Sequence, residues 1–453
     1  MAAAPVNLLQ GNIRSQLITL TLPLFLGEIL QQLYNTTDSL IIGRFLGTDA
    51  FAASGISGSI MNLFIFVLSG FCVGVSVLFS GCYGAGDLPK FRRTNFTAAT
   101  AGTAFTLLLS LLCILLTGPI LRLVATPDSL FAYCRSYLVI VLAGLIATYF
   151  YNLFSGILRS VGATGASLLF LAAALASNIV LDIVMVGFLP LGIAGAALAT
   201  VIAQSCSAFA CYLYLRRRFP HLMFTRADCG LHTGILKQIF SYGTASALHQ
   251  SSLYIGKLLV QGIVNSCGTA VIAAFTATTR IEAFINAPGN AFSQASSIMI
   301  SQNRGAGNRQ RTVSAIKESF RLILFSAVVL SVIMYFVSPY ALRLFLDASE
   351  TESLTAGTAY LKLIFFFYVL SYTGYCFVGI SKGMGRMTAP VIGTTVQISV
   401  RVLVSALLIH GLGLSGVAWA TGIGWVFVVA FHLWRFLTWY PKEFGGKSSE
   451  CNE

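Results

Sequence analysis

Charge is scarce in this chain. Only 9% of its 453 residues are Asp, Glu, Lys or Arg, where a soluble domain carries nearer a quarter. A water-soluble globule of this size would expose about 17,000 Å². Its 28 Lys+Arg and 15 Asp+Glu would then leave one charge per about 400 Å², which excludes an ordinary soluble enzyme. Long polar stretches are missing too. Hydrophobic residues make up 56% of the chain, and disordered chains are poor in such residues, so disorder is excluded. Lipid must cover most of the surface.

Catalytic signatures are also missing. The ten cysteines contain no CxxC pair, and most fall within apolar segments as small packing residues. The five histidines give no HExxH, and neither GxSxG nor a phosphate loop is present. The chain reads as a non-enzyme without a cofactor. Its first residues lack the basic region and cleavage site of a signal peptide, so the first apolar segment is expected to stay.

What the chain has is twelve apolar segments of spanning length, roughly 20 residues each, with short polar breaks between them. Continuous runs such as Leu107 to Leu116 read as helices and not as the alternating strands of a barrel. Numbered from an internal N-terminus, the twelve helices put twenty Lys and Arg at the inner face and five at the outer. Lys257, Arg280 and Arg401 are left inside the bilayer. That is the positive-inside bias of a multi-pass protein with both termini cytoplasmic, and it sets aside a nucleic-acid partner for the +13 balance. The Arg216 to Arg218 run reads as a stop signal on a solvated loop.

An internal repeat runs through the chain. Gly47-Thr48 recurs as Gly268-Thr269, and Gly84-Ala85-Gly86 as Gly305-Ala306-Gly307, both at a spacing of 221. Gly156-Ile157 and Gly162 recur as Gly379-Ile380 and Gly385 at 223; Gly192, Gly195 and Ala199-Thr200 recur as Gly413, Gly416 and Ala420-Thr421 at 221. An offset held this constant predicts an all-α integral membrane protein of twelve transmembrane helices in two six-helix bundles. Six is even, so a pseudo-twofold axis along the membrane normal relates the bundles, the build of carriers that bind substrate between rocking halves. The expected organisation is an N-terminal lobe over 1–215, a cytoplasmic inter-lobe linker over 216–236, a C-terminal lobe over 237–440 and a cytoplasmic tail over 441–453.

Function should lie where polarity survives inside lipid, since an unpaired charge there costs at least about 3 kcal/mol. Four acids qualify: Glu28, Asp38, Asp182 and Glu282. Glu28, Gln31, Asn35 and Asp38 fall at steps of three or four, on one face of the first helix. Asn178 and Asp182 are one turn apart, and Thr200, Gln204 and Ser207 form a similar stripe. The repeat supplies a control, because polarity that only holds the fold should be kept in both halves. Asp38 maps to Leu259; Asp182 maps to Ser405 at the local spacing of 223, or to Leu403 at 221. Asn178 maps to Arg401, and Thr200 keeps its hydroxyl as Thr421. The acid pair is private to the first half, which favours a titratable or cation-binding role over packing. Burial penalises each charge, and two neighbouring carboxylates penalise the second further, so the pair can take a proton or hold Na⁺ with nearby amide and hydroxyl oxygens.

Other charged and polar groups also fall inside the apolar segments. Arg280 and Glu282 are two apart and cannot share a helix face; each should pair across helices, with Lys257 and Arg401 as compensation. Glu28 has His249 as its repeat mate, and either is a candidate for a central cavity. Pro23 removes a backbone bond mid-helix and predicts a kink, static or hinged.

Leu22-Pro23, then Gln31-Gln32-Leu33-Tyr34-Asn35 through Asp38 to Gly43-Arg44, open a pattern that continues through the chain. Gly84-Ala85-Gly86-Asp87, Gly156-Ile157-Leu158-Arg159 with Gly162, and Gln302-Asn303 to Gly307 follow in order. With these motifs the chain resembles the multidrug and toxic compound extrusion (MATE) family, particularly its bacterial DinF-like and MepA-like branches. The resemblance implies a proton or Na⁺ gradient driving export of bulky, often cationic drugs through a cleft between two six-helix lobes. It also carries an N-lobe ion site onto Asp38, Asn178, Asp182 and Thr200. Some members have an essential acid in the seventh helix, where this chain offers His249 and Gln250. After the fourth helix it has Gly162-Ala163 in place of a frequent Gly-Asp.

The expectation is an H⁺- or Na⁺-coupled multidrug antiporter in a bacterial cytoplasmic membrane, monomeric, exporting amphipathic organic cations by alternating access. Asp38, Asn178, Asp182 and Thr200 form the coupling site and the Na⁺ ligand set. Glu28, Gln31, Asn35, Gln204, His249, Gln250 and Glu282 are polar cavity candidates, and Pro23 is the hinge. A lipid-linked precursor flippase of related build and a membrane receptor or scaffold stand as alternatives.

Overall fold

The computed structural model describes residues 5–189, 191–347 and 349–445, without the side chains at positions 35 and 39. The end of the expected tail, residues 446–453, lies outside the described residues. All regular structure among the described residues is helical. The first helix, α1, runs Ile13–Gly84 over 72 residues. Drawn straight it would be about 108 Å long, against a hydrocarbon thickness of about 30 Å. Gly47 resolves the conflict: its φ of 83° and ψ of −174° break the helix into two spans. Such a conformation requires a residue without Cβ.

Then follow α2 (Leu88–Leu115), a short α3 (Thr117–Leu123), α4 (Asp128–Ala143), α5 (Leu145–Ser160), α6 (Thr164–Asp182) and α7 (Gly192–Arg218). Together α4 and α5 make one span bent by 46°. The bend falls at Gly144, where the Val201 γ-methyls of α7 occupy the place a Cβ would take. The second series is α8 (Thr233–Val264), α9 (Thr269–Gly305), α10 (Arg309–Leu342), α11 (Thr351–Ile364) with α12 (Tyr368–Gly383), α13 (Thr388–Leu412) and α14 (Leu414–Phe444). Counting the arms of α1 separately and each of the pairs α4/α5 and α11/α12 as one gives six spans per half. Both α8 and α9 are long enough to span but too polar to stand out by hydropathy; they carry Lys257, Arg280 and Glu282.

The repeat is visible in the backbone. Gly47, Gly86, Gly162 and Gly192 have φ of 83°, 67°, 82° and 60°; their mates Gly268, Gly307, Gly385 and Gly413 have 90°, 68°, 71° and 55°. Helix starts match as well. Asp87 accepts from the Lys90 backbone N–H at 3.0 Å, and its mate Asn308 accepts from that of Arg311 at 3.0 Å, each side chain satisfying an otherwise orphaned donor at a helix N-terminus. Lipid-facing stripes repeat too. Leu107, Leu108, Leu111, Leu112 and Leu115 are exposed on α2, as are Val328, Val329, Val332, Ile333 and Phe336, all 221 residues on, along α10. Steps of one, four, five and eight put each set on one helix face. In water either stripe would be an aggregation surface; in a bilayer it is the outer wall.

By contacts the chain divides into two compact units. Among the described residues, unit 1 takes those within 5–7 and 22–251, and unit 2 those within 8–21 and 252–445. By contacts the division falls inside α8, and residues 8–21 join the second unit. Packing explains this. Unit 1 holds the first part of α8 because Gly70 and Gly74 of α1 lie directly on its backbone at Tyr242 to Ala247. Unit 2 holds residues 8–21 because Asn303 Nδ2 donates to the Leu8 carbonyl at 3.2 Å, while Arg311 donates to the carbonyls of Leu8 at 3.0 Å and Gly11 at 2.7 Å. Each unit has its own core. One is built around Phe71, Phe79, Phe91, Tyr149 and Leu153; the other around Phe275, Ile281, Tyr360, Tyr368 and Val417.

Part of the expected linker is tied down. Asp228 is buried and accepts from the Thr225 backbone N–H at 3.0 Å, the Thr225 hydroxyl at 2.8 Å and Arg92 Nε of α2 at 3.0 Å. The backbone bond from Thr225 first, then the Thr225 hydroxyl and the Arg92 guanidinium, hold the Asp228 carboxyl below its usual range, against the opposing effect of burial. A depressed folded-state value contributes stability that is fully present above the ordinary Asp value and lost as pH falls through the depressed one. Asp228→Asn should therefore lower the thermal midpoint at neutral pH by about 2–4 °C, and the difference from the parent should close in strong acid. An equal midpoint at neutral pH would show that the clasp contributes nothing.

Candidate functional site

Parts of the polar stripes of unit 1 meet: Asp38 lies beside Asp182, and Asn178 beside Thr200. The first arm of α1 supplies Tyr34 and, one turn on, Asp38. From α6 come Asn178 and Asp182, both 1% exposed, and from α7 Thr200 and Gln204. Asp182 is the last α-helical residue of its span, followed by a π-helical stretch over Ile183–Phe188. Such widened turns are frequent at functional sites, because they release one backbone register and re-aim a side chain.

The Asn178 amide donates to Thr200 Oγ1 at 3.5 Å, and the Thr200 hydroxyl donates to the Ala196 carbonyl at 3.1 Å. Asp38 and Asp182 face each other within hydrogen-bond reach. As carboxylates neither can donate. Asp38 Oδ1, both Asp182 oxygens, Asn178 Oδ1 and Gln204 Oε1 are buried without a partner. Among the described residues no ion pair closes on either acid. The site therefore holds a surplus of acceptors and two facing negative charges, an arrangement stable only when a proton or a cation supplies what is missing.

Two residues without a role in the sequence reading join this site. Tyr34, buried, lies beside Thr200 and within electrostatic reach of both acids. Tyr137 of α4 faces the same trio of Tyr34, Asp38 and Asp182. Spacing could have found the first, since Tyr34 precedes Asp38 by four residues. The repeat could have found the second, whose mate 223 residues on is Tyr360.

The remaining candidates are scattered. Glu28, about 15 Å along the helix from Asp38, lies within electrostatic reach of Arg159 on α5. Gln31 is exposed, and Asn35 is helical with its side chain outside the described atoms. Ser207 donates to the Phe170 carbonyl at 2.9 Å, a tie between α7 and α6. On α8, His249 is buried and Gln250 half-buried in unit 1. Glu282 belongs to unit 2, where it accepts from the Tyr360 hydroxyl at 3.3 Å. Pro23 sits in α1 one residue past the point where the chain passes from unit 2 to unit 1. No grouping of three metal-ligating side chains exists among the described residues.

Two repeated six-helix lobes with lipid-facing stripes and a buried, unneutralised acid pair define an integral membrane transporter of the two-lobe type. The comparisons with known proteins give the family. The model described as MatE matches residues 23–184 and again 245–407, once per repeat, and the chain belongs to the MatE family of multidrug efflux transporters. It is 27% identical to the probable multidrug resistance protein YpnP of Bacillus subtilis, over 95% of this chain and 96% of that one. It is 24% identical to the probable multidrug resistance protein NorM of Thermotoga maritima, over 90% and 88%. Among solved structures, a MATE crystallised with MaL6 superposes with a TM-score of 0.89 at 22% identity, covering 96% of this chain and 98% of that one. An outward-facing multidrug resistance MATE transporter gives 0.86 at 23%, covering 97% and 98%. At these identities the structural likeness speaks to the fold alone.

Proposed function

We propose that this protein exports amphipathic organic cations from a bacterial cytoplasm in exchange for H⁺ or Na⁺, with Asp38, Asp182, Asn178 and Thr200 as the coupling site. The unpaired acceptors of the first lobe support this reading most directly: a buried Asp182 facing a half-buried Asp38 needs a cation or proton whose occupancy can follow a gradient. The names of two curated relatives, probable multidrug resistance proteins, support a drug-like substrate. The experiment is accumulation of a fluorescent organic cation in inverted vesicles under an imposed pH or Na⁺ gradient. Gradient-dependent accumulation by a monomer supports the antiporter; its absence, with lipid translocation or with no transport, moves the assignment to a flippase or a receptor.

We infer from the charge bias that both termini are cytoplasmic. In a cysteine-free background, single cysteines beside Arg217 and Arg309 should react only from the cytoplasmic side; labelling of both from outside intact cells would overturn the orientation.

Pro23 is the proposed hinge. Within α1 it leaves one carbonyl without its helical donor, beside the point where the chain changes units. Pro23→Ala should express normally and transport several-fold more slowly, because the restored hydrogen bond stiffens the helix. Parent-like initial rates would remove the hinge.

A further inference from the structure

The second unit contains a counterpart of the acid site with its polarity reversed. At the repeat mates, Arg401 stands for Asn178, Ser405 for Asp182, Thr421 for Thr200 and Tyr360 for Tyr137. Tyr360 lies beside Thr421, a place taken beside Thr200 by Tyr34 in the first unit; it is within electrostatic reach of Arg401, and its hydroxyl donates to Glu282 at 3.3 Å. Lys257 of α8 is within electrostatic reach of both Glu282 and Arg401. Two cations thus lie within electrostatic reach of one carboxylate, and Arg280, exposed on α9 as Lys257 is on α8, lies within reach of Lys257.

The hydrogen-bond inventory at the two sites differs as well. At the acid site of unit 1 the orphans are the acceptors Asp38 Oδ1, both Asp182 oxygens and Asn178 Oδ1, with the Tyr34 hydroxyl as the one unused donor. In unit 2 the orphans include the donor Arg401 Nε and the hydroxyls of Ser405 and Tyr368, which are 0% and 1% exposed. Arg401 and Ser405 are one turn apart on the same face of α13, and Tyr368 lies within reach of Glu282 and Tyr360. Among the described residues neither Lys257 nor Arg401 closes an ion pair. An arrangement meant only to neutralise Glu282 would need one cation at contact distance, whereas here two stand off, and Arg401 Nε and the Ser405 and Tyr368 hydroxyls stay unused.

We propose that Arg401 and Lys257, with the Ser405 and Tyr368 hydroxyls, form a receiving site in the second unit for the anionic group of an amphipathic ligand: a carboxylate, sulfonate or phosphate. Glu282 competes with that group for the same cations, so the ligand displaces an internal counter-charge on entry. The site stands on unit 2 alone and does not depend on how transport is coupled.

The test is a binding titration on the full-length protein in nanodiscs, without a gradient. All four tryptophans lie on α14, and the Trp425 ring is 6.0 Å from that of Tyr368. A variant keeping Trp425 and replacing Trp419, Trp434 and Trp439 by Phe reports energy transfer to a bound dansyl group. Dansylglycine, a carboxylate, should bind at least about tenfold tighter than neutral dansylamide, the yield of one charge-assisted contact. Arg401→Gln should erase that preference while Arg401→Lys keeps most of it, which separates loss of charge from loss of fold. Glu282→Gln should tighten dansylglycine by removing its competitor. Displacement by dihexanoyl phosphatidate but not by octanoate would identify a lipid phosphate as the natural group, and the reverse result a free amphipathic anion. Equal binding of the two dansyl compounds, a preference surviving in the Lys257→Gln/Arg401→Gln double variant, or abolition by Glu282→Gln overturns the proposal. The coupling assignment in unit 1 can fail without affecting this titration, and the titration can fail without affecting that assignment.

Discussion

Asp38→Asn and Asp182→Asn should each insert normally, melt at a higher temperature than the parent and export nothing under either a pH or a Na⁺ gradient. The three outcomes share one cause. In the parent, Asp38 and Asp182 face each other with three carboxylate oxygens unpartnered. Asparagine has nearly the same shape but brings two N–H donors, so at either position it gives the opposing carboxylate the hydrogen bond it lacks and removes one of two repelling charges. Satisfying a buried charged acceptor is worth about 1–3 kcal/mol. Yet the amide cannot release a proton or let go of a cation, and the site is held in its occupied state. Drug affinity that varies with pH in the parent should become flat in Asp38→Asn, because a linkage between ion and drug disappears with the titrating group. Binding without a gradient can survive, since the drug cavity and the ion site need only be linked. Full export by both variants under both gradients would remove the coupling site from unit 1.

Much of the architecture is legible in the amino-acid order because glycine is informative twice, in composition and in conformation. An offset of 221 or 223 between matching glycines predicts a duplicated bundle, and the matched positive φ values at Gly47 and Gly268, or Gly86 and Gly307, have the same origin. The acid pair is legible because the two halves differ there while the helices around it do not. Asp38 and Asp182 lie far apart in sequence, but their privacy to one half marks both. Features decided by packing are not legible in this way. The unit boundary falls inside α8 at Ser251, where nothing in composition changes, because the contacts of Gly70 and Gly74 outweigh chain connectivity. The bend at Gly144 depends on a valine 57 residues later, and the π-helical turn after Asp182 has no pattern of its own. Lys257 and Arg401 are readable as intramembrane cations, but their stand-off from Glu282 is a matter of distance.

The second large effect is expected at Gly74. A Cβ built on Gly74 would overlap the Tyr242 carbonyl group, and one on Gly70 would lie 2.8 Å from both Ala247 Cα and the Ser246 carbonyl oxygen. In both cases the obstacle is backbone, so no rotamer change relieves the clash and α8 itself must move. Without a hydrophobic force between helices in lipid, such backbone approach is much of what holds a pair together. Phe71, between the two glycines, closes the seam from the other side by filling the space beside Gly243. Gly74→Ala should thus destabilise the protein by about 1–3 kcal/mol through overpacking, read as a lower thermal midpoint in detergent, and Gly74→Leu should yield no folded protein. Gly55, on the same arm of α1, has nothing within 4 Å of its Cβ position and ordinary helical φ. Gly55→Ala should therefore be neutral or stabilise by about 0.5–1 kcal/mol, the ordinary gain from removing a mid-helix glycine. Opposite signs at two glycines of one helix separate close approach from helix propensity. If Gly74→Ala melts with the parent, α8 does not rest on α1 through this seam, and the assignment of residues 233–251 to the first unit loses its physical basis.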